Sequence, residues 1–395
     1  MATLGSNFCL APFTQLTFGP AGKFSPCPEI GGRPWRDPEA SPIKMWSSSE
    51  LDSIRNDFKD NKQNPVCNRC WSQESVKKQS LRRRLYVERK MFNPGETLNF
   101  IDNEYHNGPK QINIMTGNTC NLRCRICSAD SSWTYNIEGR IYEKLSGEKS
   151  VYTSDSPKPL RLSEQQLDEV YTLSENLQRL EFYGGEPLLD DKTVFLLEKY
   201  VSDGSSKDIS LMYNTNGQNL PTKQHFELWP KFKSVDFNIS IDDIEHRYTY
   251  NRHPGKWEDL LIVLDSLKSH NANFNIFSIC TVSTLNIFYI PEILDEIDRL
   301  GLKCFINNVH DPKYYDIQFI PNDIKHKIKQ KLLSYKNQSR IQFLMNMLDL
   351  PEDLEAWEQF RFWTNTKDDY RNEDFATTYP EFYEVIKHYD ITRQV

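Results

Sequence analysis

From residue 111 onward, short apolar runs alternate with amphipathic segments. The runs predict six β-strands, at Gln111–Met115, Arg179–Tyr183, Ile209–Tyr213, Val235–Ile241, Asn273–Val282 and Lys303–Val309. Between them, helical periodicity predicts helices such as Asp191–Val201, Lys256–His270 and Pro291–Leu300. Strands that alternate with helices predict a parallel sheet, and right-handed crossovers then give an open barrel or a doubly wound sheet. We therefore expect an α/β fold over residues 111–320, a partial (β/α)6 TIM-like barrel, with its chemistry at the carboxyl ends of the strands.

The segments on either side of this domain differ from it in amino-acid composition and in predicted secondary structure. Residues 1–76 are rich in Pro, Gly and Ser and predict a small cysteine-rich module that needs metal to hold its shape. In this module we expect a strand at Ala11–Phe18, a turn after it, and a helix at Ser48–Asp60 capped by Ser49. Residues 77–110 predict a basic linker. Residues 321–395 predict a helical, aromatic-rich extension, either a cap packed on the barrel or a substrate lid.

Composition limits the class of protein. The 395 residues are 38% hydrophobic, which is enough for a real core and excludes wholesale disorder. The 48 basic and 55 acidic residues give a net charge of −7, which argues against a dedicated duplex-DNA binder. No apolar run is long enough for a membrane span, and the first residues lack the regions of a signal peptide, so we expect a cytoplasmic location. In that reducing compartment, clustered cysteines more often hold metal than form disulfides.

The linker contains a strongly basic stretch. Glu88 is the only acid beside Lys77, Lys78, Arg82, Arg83, Arg84, Arg89 and Lys90. A solvated helix face explains such a stretch, and a docking surface for an acidic peptide or nucleic acid is the alternative.

Seven of the nine cysteines fall into two groups. The first is Cys9, Cys27, Cys67 and Cys70, and the second is Cys120, Cys124 and Cys127. Cys280 and Cys304 stand alone in apolar runs, where a free cysteine behaves as a small buried hydrophobe.

The second group directly follows the first predicted barrel strand, with the spacing C-x3-C-x2-C. Three thiolates so close together can bind three corners of a cubane iron–sulfur cluster and leave the fourth iron open. An open coordination position usually means chemistry, whereas a structural zinc site would want a fourth Cys or His nearby. Zinc or unliganded thiols are the alternatives.

This spacing resembles the signature of the radical S-adenosylmethionine (SAM) superfamily, and the resemblance covers about residues 111–310. It implies a [4Fe–4S] cluster whose open iron is chelated by SAM. It also implies reductive cleavage of SAM to methionine and a 5′-deoxyadenosyl radical, which abstracts hydrogen from a substrate.

Further motifs at the strand ends agree with the resemblance. Gly184-Gly185-Glu186-Pro187 is similar to the glycine-rich motif that binds the methionine amino group; glycines permit close backbone approach, and Glu186 can accept from an ammonium. Asn214–Gly217 resembles a stretch near the bound cofactor, and Ser240-Ile241-Asp242 resembles one whose polar groups meet the ribose or carboxylate; turn chemistry and strand capping are the alternatives for both. Thr281–Asn286 resembles the stretch that supports the adenine. The cofactor-binding residues implied are Ile126, Gly184, Gly185, Glu186, Asn214, Asn216, Ser240, Asp242 and Val282.

The sequence around the four amino-terminal cysteines resembles that of the twitch or SPASM modules of radical enzymes. The resemblance implies that Cys9, Cys27, Cys67 and Cys70 hold one auxiliary iron–sulfur cluster, and a structural zinc site is the alternative. Such modules usually follow the barrel, whereas here the module precedes it.

These observations lead to three hypotheses for the function. The first is a radical SAM enzyme that acts on a peptide or protein residue, with an electron donor such as flavodoxin or ferredoxin. The second keeps this chemistry on a small molecule such as a nucleotide or sugar. The third is a non-enzymatic metal-binding or RNA-binding scaffold. No general acid or base is identifiable from the sequence.

Overall fold

The computed structural model describes residues 5–30, 35–36, 41–75, 80–87, 99–147, 149–270 and 273–389. Its sheet has nine strands: β1 Gln15–Phe18, β2 Lys23–Ser25, β3 Trp35–Arg36, β4 Gln111–Met115, β5 Arg179–Tyr183, β6 Ser210–Thr215, β7 Ser234–Ser240, β8 Phe274–Val282 and β9 Lys303–Asn308. The order is β3-β2-β1-β4-β5-β6-β7-β8-β9, and every pair from β1–β4 to β8–β9 is parallel. The predicted α/β fold is therefore confirmed as a mostly parallel sheet with helices. Closure into a partial (β/α)6 barrel stays a prediction, as do the domain boundaries at 76, 110 and 320.

The amino-terminal segment joins the main sheet. β1 pairs in parallel with β4, with Gln15 opposite Gln111, and β2 and β3 continue the sheet in antiparallel fashion. The predicted strand at Ala11–Phe18 is half wrong, because Ala11–Thr14 forms the short helix α1. Pro12 lies in its first turn, where a fixed φ favours a helix start. The cap of the next predicted helix also shifts by one residue, since the hydroxyl of Ser48 accepts from the amide of Leu51.

Sixteen further helices surround the sheet within the described residues. They are α2 Pro42–Trp46, α3 Ser49–Lys59, α4 Asn68–Ser75, α5 Leu81–Val87, α6 Asn136–Ser146, α7 Glu164–Thr172, α8 Lys192–Ser202, α9 Lys223–Leu228, α10 Glu245–Asn251, α11 Trp257–His270, α12 Ile290–Arg299, α13 Asn322–Leu332, α14 Gln338–Met347, α15 Leu354–Arg371, α16 Phe375–Thr378 and α17 Pro380–Ile386. None of the helices in the described ranges is long and apolar enough to cross a membrane.

The two faces of the sheet differ in chemistry. One face carries fully buried apolar side chains, such as Leu211 and Phe237, which belong to the main core. Because side chains alternate along a strand, the opposite face carries their neighbours Met212, Asn214 and Asn238. Asn238 donates to Asn214 at 3.0 Å across this second face, which continues upward into the loops at the carboxyl ends of the strands.

The basic stretch is not a simple solvated face. Arg82, at the start of α5, is buried and ion-paired with Glu74, and Arg83 contacts the same carboxylate at 3.3 Å. The guanidinium of Arg82 also donates to the carbonyls of Ser6 and Phe8, and these bonds connect α5 to residues near the start of the chain. Lys77, Lys78, Glu88, Arg89 and Lys90 lie outside the described residues.

The carboxyl-terminal aromatic residues are divided between core and surface. Trp357, Phe360, Tyr379 and Phe382 are buried in the main core, as a packed cap requires. Phe362 and Tyr370 stay exposed by 44% and 39%, so they are not part of that packing.

His225 in α9 is expected to make the stability of the fold sensitive to mild acid. It is buried, its Nδ1 completes a capping box with Thr222, and burial lowers its pKa to about 4. Because histidine in the unfolded chain binds a proton with an ordinary pKa of about 6.5, the contribution of neutral His225 to the free energy of unfolding is fully present above pH 6.5. That contribution is lost as the pH falls from 6.5 toward 4.

We expect His225→Gln, which keeps the cap, to remove about 2 kcal/mol of the destabilisation between pH 7.5 and pH 5. Urea unfolding of both proteins at the two pH values measures this difference. An equal loss in both would contradict the prediction.

Candidate active site

The cysteine loop, residues 117–127, follows β4 in the chain and is held by backbone hydrogen bonds. The amides of Arg123 and Arg125 donate to the carbonyls of His253 and Asn251 at 2.6 and 2.8 Å. The amide of Cys127 donates to the carbonyl of Cys124 at 2.9 Å, which closes a turn between these two cysteines. The loop therefore has a defined conformation.

The three cysteines of this loop are half-buried. Burial raises the pKa of Cys120, Cys124 and Cys127, in the last case to about 12, and for Cys120 and Cys127 repulsion from a neighbouring thiolate adds to the effect. As free thiols they stay protonated at neutral pH. A bound metal must displace these protons, which couples metal binding to the release of protons.

The GGEP segment is attached to the cysteine loop. The amides of Gly185 and Glu186 donate to the carbonyls of Gly117 and Thr119, both at 2.8 Å. A Cβ atom on Gly185 would lie 2.1 Å from the carbonyl oxygen of Thr119, and Gly184 has a φ of +123°. The two glycines are thus required for the approach of one loop to the other.

Glu186 connects two strand ends beneath this contact. Its carboxylate accepts from the hydroxyl of Thr215 and the amide of Asn216, both at 2.7 Å, and from the amide of Leu188 at 3.2 Å. The side chain is buried, and burial raises its pKa. Glu186 therefore fixes the segment after β6 against the GGEP segment.

Asn216 faces the cysteines directly. Its Nδ2 lies 2.9 Å from Oδ1 of Asn121 and 3.8 Å from Sγ of Cys120. Asn214 lies two residues before Asn216, on β6, and its side chain pairs with that of Asn238. Ser240 lies at the end of β7 on the same face of the sheet. The structure thus brings Asn216 to the cysteine loop, leaves Asn214 two residues lower on β6, and places Ser240 at the carboxyl end of β7, where no described contact joins it to the loop.

Two other predicted residues pack against the core. Val282 is fully buried in the core shared with the helices, so its side chain contributes to packing. Ile126 is partly buried and contacts the same core.

Arg252 is a candidate site residue that the sequence analysis missed. It follows α10, is buried, and lies between the carboxylate of Asp242 at 2.7 Å and Sγ of Cys124 at 4.0 Å. The other oxygen of Asp242 accepts from the amide of Thr281 at 2.8 Å. A buried cation beside a thiol favours the thiolate, which is the form that binds metal. No motif marked Arg252, because its distance of 128 residues from Cys124 closes only in the fold.

The four amino-terminal cysteines are brought together. Cys9, Cys27, Cys67 and Cys70 line one cavity of about 20 Å³, beside Arg82. Burial raises the pKa of all four thiols, to about 12 for Cys67. Residues up to 61 positions apart in the sequence thus form one thiol cluster.

Both cysteine groups fit the thiolate donor set of iron–sulfur clusters. Within the described ranges, no three side chains of His, Cys, Asp or Glu converge as ligands of a single metal ion. In a cubane cluster each cysteine binds a separate iron, so its thiolates are spaced more widely than the ligands of one ion.

Comparison with known proteins places the central part of the chain in a family. Residues 114–300 match the sequence profile of the Radical SAM superfamily. This part of the chain is a radical SAM domain. The assignment supports the prediction of an enzyme, and the superfamily implies the predicted [4Fe–4S] cluster and SAM.

Two curated proteins resemble the radical SAM domain and its surroundings. The radical SAM cyclopropyl synthase TigE of Paramaledivibacter caminithermalis is 25% identical over 55% of this chain and 45% of its own length. Protein MJ0907 of Methanocaldococcus jannaschii is 24% identical over 62% of this chain and 77% of its own length. The chain thus spans less than half of the synthase.

Solved structures show a weaker likeness. Native anSMEcpe with bound SAM and a peptide has a TM-score of 0.42 and 16% identity, covering 58% of this chain and 60% of its own. Streptococcus suis SuiB bound to SAM has a TM-score of 0.36 and 13% identity, covering 70% and 60%.

Proposed function

We propose that this chain is a radical SAM enzyme that acts on a residue of a peptide or protein, assisted by an auxiliary iron–sulfur cluster. Cys120, Cys124 and Cys127 would hold the SAM-binding cluster. When bound, that cluster supplies the electron, taken from a donor such as flavodoxin or ferredoxin, that cleaves SAM to the hydrogen-abstracting 5′-deoxyadenosyl radical.

One observation carries this proposal: the GGEP and Asn214–Gly217 segments both converge on the cysteine loop. GGEP donates two backbone hydrogen bonds to it, and the side chain of Asn216 reaches both Asn121 and Cys120. A purely structural three-cysteine loop needs neither contact. The convergence places polar groups from two strand ends beside the loop that would hold the cluster.

The roles of Glu186 and Asp242 follow from their remaining capacity for hydrogen bonds. A carboxylate has about four acceptor positions, and Glu186 uses three of them within the protein. The fourth is available to the ammonium group of SAM, while the internal bonds hold the carboxylate in place. Asp242 is paired with Arg252, so this pair can orient the ribose or carboxylate end of SAM.

The chemistry of the sheet face favours a peptide substrate. Strands β6, β7 and β8 carry no Lys, Arg or His along their described lengths, and their site-side positions include Asn214, Asn238, Ser240 and Thr281. Arg179, on neighbouring β5, is ion-paired with Glu181 and Asp236. Carboxamides and hydroxyls can pair with peptide groups, whereas a phosphate-bearing nucleotide or sugar needs cations.

The substrate class is tested by the formation of 5′-deoxyadenosine under a strong reductant without oxygen. Peptides and protein extracts are compared with nucleotides and sugar phosphates as stimulants of product formation. Stimulation by the small molecules alone would favour the second substrate class.

For the auxiliary cluster, we expect the double variant Cys67→Ala/Cys70→Ala to lose about half of its iron if both clusters are cubanes. The wild-type protein, reconstituted without oxygen, should hold about eight irons with matching sulfide. Metal and sulfide analysis measures both values. About four irons plus one zinc in the wild type would make the amino-terminal site a structural zinc site.

A further inference from the structure

The end of helix α15 contacts the cysteine loop from the opposite end of the sequence. Nζ of Lys367 donates to the carbonyl of Arg125 at 2.8 Å, and the guanidinium of Arg371 donates to the carbonyl of Arg123 at 2.9 Å. The hydroxyl of Tyr135 donates to the carbonyl between them, that of Cys124. Three consecutive carbonyls of the loop are therefore each held by a side chain.

These contacts complete the bracing of one cysteine. The amides on either side of Cys124, those of Arg123 and Arg125, already donate to His253 and Asn251. With the three carbonyl contacts, the backbone around Cys124 is fixed by both its donors and its acceptors. Rotation of these peptide groups would move the thiol relative to Cys120 and Cys127, so the bracing sets the spacing of the ligands.

Lys367 is held rigidly in this arrangement. Its side chain is fully buried, and Nζ also contacts the hydroxyls of Tyr152 at 2.8 Å and Tyr315 at 3.2 Å. The ammonium position lies 4.0 Å from the centre of the Tyr152 ring. Burial lowers its pKa well below the ordinary range, and in either protonation state the amine has hydrogens to donate to the carbonyl of Arg125.

The end of α15 is anchored independently of Lys367. Arg371 pairs with buried Glu138 at 3.0 Å, and Asp368 and Glu373 pair with the guanidinium of Arg125. These ion pairs hold the end of the helix against the loop without Lys367. A variant of Lys367 should therefore keep the helix docked, so that its effect on the loop can be measured separately.

We propose that Lys367 is a positioning residue of the metal site, which fixes the Cys124–Cys127 part of the loop in the conformation that binds the cluster. The carboxyl-terminal helices are then part of the radical SAM centre as well as a cap on the core. This inference rests on the proposed function, because it requires the loop to hold a cluster.

The test compares Lys367→Met with a matched variant, Lys325→Met. Lys325 in α13 is also a buried lysine of the carboxyl-terminal region whose Nζ donates to a backbone carbonyl, that of Leu350, at 2.6 Å. We expect Lys367→Met to lose iron from the loop to a chelator at least tenfold faster, as changes beside metal ligands usually do. Its reduced cluster should also lose the change that SAM causes in the electron paramagnetic resonance spectrum. Lys325→Met should match the wild type in both.

The outcomes separate the two proposals. If wild-type protein binds iron at the loop and the two lysine variants behave alike, Lys367 is merely structural and this inference is wrong. If Cys120, Cys124 and Cys127 can be replaced together without loss of iron, the proposed function itself fails.

A second variant covers the case in which Lys367→Met does not fold. Tyr152→Phe/Tyr315→Phe leaves Lys367 with the carbonyl of Arg125 as its one remaining partner among these three contacts. That variant should shift iron loss in the same direction, and wild-type kinetics would overturn the inference.

Discussion

Replacing Cys124 with alanine should reduce the formation of 5′-deoxyadenosine from SAM to background. Cys124 is the middle cysteine of the three-cysteine loop and would be the central cluster ligand in the proposed function, and Arg252 lies 4.0 Å from its sulfur. Two remaining thiolates cannot hold a cubane that already lacks a fourth protein ligand. The measurement is product formation by chromatography, together with the spectrum of the reduced cluster with and without SAM.

Cys280→Ala is the matched control for this experiment. Cys280 is a fully buried cysteine of the main core and belongs to neither cysteine group. Its loss removes one sulfur from the packing and should leave both the iron content and product formation close to wild type. Retained product formation in Cys124→Ala would refute the cluster assignment.

Replacing Arg125 with methionine should cost the fold about 3–5 kcal/mol, because it leaves the partners of a buried cation behind. Arg125 is fully buried and is the shared partner of the carboxylates of Asp368 and Glu373. Its guanidinium also donates to the carbonyl of Tyr250 at 3.1 Å and lies 3.5 Å from the centre of that ring. The carboxyl-terminal segment would lose its main electrostatic contact with the cysteine loop.

The midpoint of urea unfolding, measured without oxygen, checks this loss. Arg140→Met is the control, because Arg140 lies on the exposed side of α6, where a substitution should change stability by no more than about 0.5 kcal/mol. Equal midpoints for the two variants would show that the buried network around Arg125 contributes little.

Features that depend on neighbouring residues were accessible from the sequence. The strands β4 and β5 begin and end at the predicted residues, because alternating apolar positions and flanking polar residues define a buried strand locally. The capping box of Ser163 and Gln166 at the start of α7 is equally local, since its two hydrogen bonds lie within four residues. The spacing of Cys120, Cys124 and Cys127 likewise indicated a radical SAM domain, because these potential ligands lie within eight residues.

Local reasoning was wrong at the amino terminus for a physical reason. Ala11–Phe18 has the apolar content of a strand, yet a helical turn precedes β1. The parallel partner of β1 is β4, almost a hundred residues later, and its register, with Gln15 opposite Gln111, places the strand start. Strand propensity alone carries no information on such a partner.

By itself, the sequence determined the α/β class, the cysteine loop and the glycine-rich segment that approaches it, because each depends on periodicity or on residue types within one short stretch. Only the tertiary structure decided which basic side chains surround that loop. Arg252, Lys367 and Arg371 carry no motif, and they reach the loop from positions 128 to 248 residues away in the sequence. Their burial is tolerated because each finds an oxygen partner, and those pairs exist only once the chain has folded.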